Sequence, residues 1–153
     1  MIINGAERFD FAGPVIDRGV KGKKDTSFTY GDRIGHTGGS AFGKDSTKVD
    51  FHGLVWGRYV SKNLVANNVA SQVITKATYA IGQEEPLVID FSAHDSELDK
   101  EGLVDLVTRN FPTARTKVLR ELDLKQPWIY PETARVGFFG NKLFPWEQVK
   151  KLK

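Results

Sequence analysis

Gly38-Gly39-Ser40-Ala41-Phe42-Gly43-Lys44 has the spacing G-x-x-x-x-G-K, with Asp45 next. Small residues at this spacing let backbone N–H groups reach phosphate oxygens, the lysine adds charge, and a helix N-terminus follows. A nucleotide-hydrolase loop carries Ser or Thr after the lysine, to hold Mg²⁺, and a buried strand leads into it. Here the residue is Asp45 and no such strand precedes the loop. Two readings stay open: a loop that handles polyphosphate in another way, or a glycine turn ahead of a helix. Lys44 and Lys48 are i and i+4 and would share one face of a helix start. Like charges at that spacing repel by a few tenths of a kcal/mol, and a polyanion between them reverses the sign. Asp50 lies about 200° round a helix from Lys48. It is placed either to meet a metal on phosphate or to partner the helix dipole. Lys21, Lys23 and Lys24, separated by Gly22 and following Gly19, are either a solvated face or a second anion site. His36, His52 and His94 have no metal spacing and complete no Ser–His–Asp set; His94, beside Asp95, reads as a loop residue.

These residues need elements to position them. Val49, Trp56, Val60 and Leu64 recur at helical spacing with Tyr59 beside them, which predicts a helix over 45–67 capped by Asp45 or Ser46. Val73, Thr75, Ala77, Tyr79 and Ile81 alternate over 71–81, as in a half-buried strand. A turn over 82–86 and an apolar run over 87–91 complete a hairpin. Residues 99–110 read as a helix broken by Pro112, with a second helical piece over 113–122 and a short strand within 127–137. With a first strand over 25–30 the order is β-α-β-β-α-β. That order predicts an α+β two-layer sandwich with a mostly antiparallel sheet and both helices on one face. Residues 1–45 would hold the loops and first strand, and 46–153 the rest of the same domain. The opposite sheet face would need cover, so a homodimer or another chain is expected.

Composition limits the rest. A chain of 153 residues buries roughly 70% of its unfolded surface without a staple. It has no cysteine, which excludes a disulfide framework, a thiolate metal site and a cysteine nucleophile. The 22 basic and 19 acidic residues leave a net charge of +3, too small a bias to argue a nucleic-acid partner. No apolar run approaches the ~20 residues of a membrane span, and the N-terminus lacks signal-peptide character. Cytoplasm is the expected location. Most of the 15 glycines precede Arg58, but aromatic residues among them argue for ordered loops.

The stretch from Gly38 to Asp50 resembles the glycine-rich signature of the S-adenosylmethionine synthetases, G-G-G-A-F-S-G-K-D-x-x-K-V-D, one residue shorter here. Further motifs agree in order along nearly the whole chain. Arg8-Phe9 with Gly13-Pro14 is similar to R-F-x-x-G-G-P, and Asp17, Gly19, Gly22 and Lys24 to G-D-x-G-x-x-G-R-K. Arg58-Tyr59-Val60-Ser61-Lys62-Asn63 resembles R-Y-V-A-K-N. Tyr79-Ala80-Ile81-Gly82 with Glu85-Pro86 resembles Y-A-I-G-x-x-E-P. Leu122-Asp123-Leu124, Thr133-Ala134, Phe139-Gly140 and Phe144-Pro145-Trp146-Glu147 fit the C-terminal pattern. Phe138 stands where the family has a histidine, and Trp128 reads as an insertion.

The resemblance implies formation of S-adenosylmethionine from ATP and methionine with triphosphate cleavage, and Mg²⁺ and K⁺ as cofactors. It implies that Phe9 stacks on adenine with Arg8 beside it, and that Asp17 contacts nucleoside and methionine. Lys23 and Lys24 would bind phosphates, with Lys24 and Lys44 catalytic. Ala41 would approach the nucleotide through its backbone, Lys44 would hold the triphosphate, Lys48 would lie by methionine and Asp50 would ligate Mg²⁺. The resemblance covers the C-terminal 40% or so of a family member. The rest, with the family's histidine near C5′, a second Mg²⁺ aspartate and the potassium glutamate, would come from an N-terminal synthetase fragment or a partner. Two other readings are a non-catalytic ATP or polyphosphate module and a regulatory subunit docking on a full synthetase.

Overall fold

The structure of the protein, a computed structural model, describes Gly13 and residues 25–31, 33–35 and 39–153. Helix α1 (Val49–Ala66) leads into the strands β1 (Gln72–Thr78) and β2 (Val88–His94), followed by helices α2 (Lys100–Asn110), α3 (Arg115–Glu121) and α4 (Ile129–Val136). One-turn 3₁₀ segments lie at Thr26–Phe28 and Pro145–Glu147. The fold is α+β, with an antiparallel two-stranded sheet among the described residues.

The hairpin pairs Val73 with Ala93, Thr75 with Phe91 and Ala77 with Ile89 on one face. This face joins Val55, Trp56, Val60 and Leu64 of α1 and Leu103 and Val107 of α2 in one apolar core. Period-2 alternation in β1 and a helical stripe in α1 bury their apolar sides against each other. The link is polar as well as apolar: Ser61 Oγ and Thr75 Oγ1 lie 2.6 Å apart. The other face pairs Gln72 with His94, Ile74 with Ser92, Lys76 with Asp90 and Thr78 with Val88. It is mostly polar among the described residues, where an apolar face was expected.

Two expected strands are absent from their places. Residues 25–31 turn instead of extending. Thr29 Oγ1 donates to the Asp25 carbonyl at 2.9 Å, and Gly31, with φ +67°, accepts a conformation that few other residues adopt. Local bonds from a Thr side chain compete with strand pairing in this way. Residues 127–137 hold α4, a helix. Pro131 falls in its first turn, where no N–H is required, so the proline does not break it. Ile129 and Thr133 are buried one turn apart, Glu132 and Arg135 form an i, i+3 pair at 2.7 Å, and Gly137 ends the helix at φ +89°.

Helix α1 begins later than predicted. Asp45 accepts the Thr47 N–H at 2.8 Å in an Asx turn, and Ser46 is buried with its N–H donating to Tyr130 Oη at 3.1 Å. Both predicted caps are thus used elsewhere, and Lys48 takes the N-cap position with no side-chain bond. Val49, expected in the core stripe, is exposed; the buried face runs through Phe51, His52, Val55, Trp56, Tyr59 and Val60. The N-cap of α2 is Asp99, whose carboxylate accepts the Gly102 N–H at 2.8 Å. No helix among the described residues is long and apolar enough to cross a membrane.

Candidate functional site

The glycine-rich loop rests on aromatic packing. Phe42 lies edge-on to Phe28, with centroids 5.2 Å apart, and 4.5 Å from the Phe138 ring. Phe138 in turn packs against Phe51 of α1. Phe138 is therefore part of the loop's foundation. At the loop's start, buried Asp25 accepts the Ala41 N–H through Oδ2 at 3.3 Å. The loop then turns through Gly43 at φ +79°, with Lys44 N–H donating to the Ala41 carbonyl at 3.3 Å.

Loop, α1 and α4 enclose a cleft of about 420 Å³, lined by Ala41 to Asp45, Phe51, Tyr130, Thr133 and Ala134. Phe51 and Tyr130 supply an apolar floor, their rings 5.5 Å apart. The charged groups on its wall are Lys44 and Asp45. Hydrogen bonds from Thr47 hold the Asp45 carboxyl below its ordinary range, so it stays ionised.

Lys44 and Lys48 do not share a helix face, because α1 starts only after Lys48. Lys48 is exposed at the N-cap, and the Lys44 ammonium bonds to Asp50 Oδ2. Asp50, placed by the sequence either to meet a metal on phosphate or to partner the helix dipole, is the partner of the loop lysine. Gly39 makes this possible, since a Cβ there would overlap Asp50 Oδ1. Gly39→Ala is expected to force the carboxylate aside and cost about 1 kcal/mol, the low end of overpacking because Asp50 has solvent to move into. Thermal unfolding measures it; an unchanged midpoint would show that the contact is not constraining.

Ala41, Lys44, Lys48 and Asp50 thus gather around the start of α1. Arg8, Phe9, Asp17, Lys23 and Lys24, and the histidine His36, lie outside the described residues. His52 is buried, with Nδ1 3.2 Å from the Ser46 carbonyl and Nε2 without a hydrogen-bond partner. Burial pushes its pKa down against that bond. A neutral ring donating from Nδ1 fits, so His52 is a loop-side core residue. His94 ends β2, exposed beside Asp95, and not in a loop as expected.

Sequence reasoning missed Asp25 and Tyr130, which fasten the loop from 16 and 84 residues away, and a buried charge cluster at the middle of α1. Glu147, 2% exposed at its side chain, receives Arg58 Nε at 2.8 Å and Lys62 Nζ at 2.6 Å. Arg58 also donates to Glu147 Oε2 at 3.0 Å, and the Gly140 N–H to Oε1 at 3.0 Å. Arg58 NH1 reaches Tyr30 Oη at 2.7 Å. Lys62 is therefore a structural residue and not a neutral surface position. Burial opposes ionisation of Glu147, but the bonds from Arg58, Lys62 and Gly140 outweigh it and lower its pKa.

The architecture and loop define a class: an α+β domain that sets a glycine turn and a lysine–aspartate pair at the mouth of a long helix. Residues 11–148 match the family described as S-adenosylmethionine synthetase, C-terminal domain. The S-adenosylmethionine synthase of Mesoplasma florum is 38% identical over 154 residues, covering 100% of this chain and 41% of its own length. That of Deinococcus deserti is 37% identical over 150 residues, covering 97% of this chain and 37% of its own. A solved structure described as an unusual S-adenosylmethionine synthetase from Campylobacter jejuni superposes with a TM-score of 0.75 at 30% identity. It covers 82% of this chain and 34% of that one. The chain belongs to the S-adenosylmethionine synthetase family, to its C-terminal domain. It spans about two fifths of the length of the curated relatives it matches.

Proposed function

We propose that this chain is the triphosphate-binding, C-terminal part of an S-adenosylmethionine synthetase. The observation that carries the reading is the loop ending in Lys44, paired with Asp50 beside a cleft, in a chain of this family. In the reaction, the methionine sulfur attacks C5′ of ATP. A new C–S bond forms, the C5′–O bond breaks, and triphosphate leaves with the bonding electrons before it is hydrolysed. A neutral sulfide needs a good leaving group, and positive charge held where the leaving group develops lowers the barrier. Lys44 and Lys24 take that part, with Lys23 on the same phosphates. The Ala41 backbone guides the nucleotide, Phe9 and Arg8 take the adenine, and Asp17 and Lys48 face methionine.

Among the described residues, no three His, Cys, Asp or Glu side chains come together to hold a metal. Asp50 fits the other way of holding Mg²⁺, in which one or two carboxylates share the ion with substrate phosphates. Bound there, Mg²⁺ would neutralise charge on the triphosphate. By the resemblance, potassium and the histidine near C5′ belong to the N-terminal part, in the same chain or a partner.

The test is S-adenosylmethionine formation from ATP and methionine with Mg²⁺ and K⁺. The chain alone is expected to give no product. Product is expected when it is mixed with the N-terminal three fifths of a relative such as the Mesoplasma florum synthase. Multiple turnovers by the chain alone, or no product from any such mixture, would count against the reading.

A further inference from the structure

Lys44 and Asp50, which the proposed function assigns to triphosphate and to its metal, are bonded to each other. Both are partly open to solvent, with side-chain exposures of 38% and 28%, so a ligand reaches them without unfolding the loop. Asp50 is pressed against Gly39 on its Oδ1 side and takes Lys44 on Oδ2. The carboxylate therefore does two things to an incoming polyanion: it occupies the lysine, and it presents a negative charge at the same place.

We propose that the Lys44–Asp50 pair is a lock on the phosphate loop that a divalent cation opens, so that Mg²⁺ and triphosphate bind this loop cooperatively. The proposal rests on the triphosphate reading above. A lysine ammonium donates and never accepts, so its bond to Asp50 competes directly with a bond to phosphate. When a divalent cation takes Asp50, the carboxylate's charge is offset and Lys44 turns to the phosphate oxygens. Each ligand favours the open state that the other uses, and the coupling is reciprocal. Because the pair is about a third exposed to solvent, its worth is modest and the lock changes affinity several-fold, not by orders of magnitude. Lys48, exposed at the N-cap and outside the pair, keeps a cation at the loop in the locked state.

The test is calorimetric titration of tripolyphosphate into the full chain, with Mg²⁺ or with EDTA. The variants are Asp50→Asn, Lys44→Ala and the double substitution, each checked for folding by circular dichroism, with Asp50→Ser in reserve if Asp50→Asn unfolds. Without metal, Asp50→Asn is expected to bind about 3- to 10-fold tighter than the unmutated chain, and with Mg²⁺ to bind more weakly than it. Without metal, Lys44→Ala is expected to change affinity less than about twofold alone, and at least about fivefold on the Asp50→Asn background. Equal effects of Lys44→Ala on both backgrounds, or no gain from Asp50→Asn without metal, would overturn the lock. If the unmutated chain binds tripolyphosphate with Mg²⁺ in that case, the function stands and the lock alone falls. No binding by any chain under either condition removes the triphosphate reading and the lock together.

Discussion

Glu147→Ala is expected to destabilise the fold by about 3 kcal/mol, with a fall in Tm of roughly 6–12 °C for a chain of this size. The carboxylate is buried and accepts from Arg58, Lys62 and the Gly140 backbone. Removing it leaves two cations and an amide without their shared acceptor. The cost of breaking a fully buried pair runs to about 5 kcal/mol, but Arg58 and Lys62 keep 21% and 27% of their side-chain exposure and can rehydrate in part. The lower end therefore applies. Arg58 also holds Tyr30 and lies 5.3 Å from the centre of the Phe139 ring, so the loss should spread to the segment that carries Asp25. The acid side follows from the same cluster. The folded-state pKa of Glu147 is depressed, so its contribution is present above the ordinary carboxylate range. It is lost as pH falls through the lower folded value. Denaturant unfolding at neutral pH and again below pH 4 measures both effects. A Glu147→Ala chain within 0.5 kcal/mol of the unmutated one at neutral pH, a typical surface effect, would show that the cluster is solvated and dispensable.

That cluster also shows what a sequence hides. Arg58-Tyr59-Val60-Ser61-Lys62-Asn63 and Phe144-Pro145-Trp146-Glu147 each stand out as motifs, yet nothing in either says that they meet. They do so because α1 runs beneath the segment after α4. Asn63 donates to the Gln148 carbonyl at 3.1 Å and accepts the Lys150 N–H at 2.7 Å, extending the same contact. The hairpin and α2 were legible because strand alternation and a helical run broken by a proline are local signals. The stretch from Ile129 to Val136 was not, because a proline looks the same in the first turn of a helix as in an edge strand. Residues 25–31 failed for a related reason: Thr side chains that favour strands also close turns on their own backbone.

The site was legible in its residue types and less so in its geometry. The glycine spacing picked out Lys44, the helix start added Asp50 and the resemblance added Ala41; Lys44 is bonded to Asp50 and shares a cleft with Ala41. Placing Lys44 and Lys48 on one helical face assumed that the helix began at Asp45. The Asx turn of Asp45 with Thr47 moved the start to Val49. That shift puts Asp50 in the helix's first turn, where it takes the Lys44 ammonium. No periodicity foretells a loop lysine folding back onto its own helix, because the contact depends on the absence of a side chain at Gly39.

The most direct test of the account is the affinity of the chain for tripolyphosphate with Mg²⁺ present, measured calorimetrically for the unmutated protein and for Lys44→Ala. A lysine–phosphate contact is a charge-assisted bond worth roughly 1–3 kcal/mol. Lys44→Ala should therefore weaken binding about 5- to 150-fold, at 1.4 kcal/mol for each factor of ten. Because the lysine is partly solvated, added salt should also weaken binding to the unmutated chain. Lys117→Ala, exposed on α3, removes the same charge away from the loop and should change little; Lys62→Ala does not serve, because it breaks the Glu147 cluster. Equal affinities for Lys44→Ala and Lys117→Ala, or no binding by the unmutated chain at millimolar tripolyphosphate, would contradict the assignment of the glycine-rich loop to triphosphate.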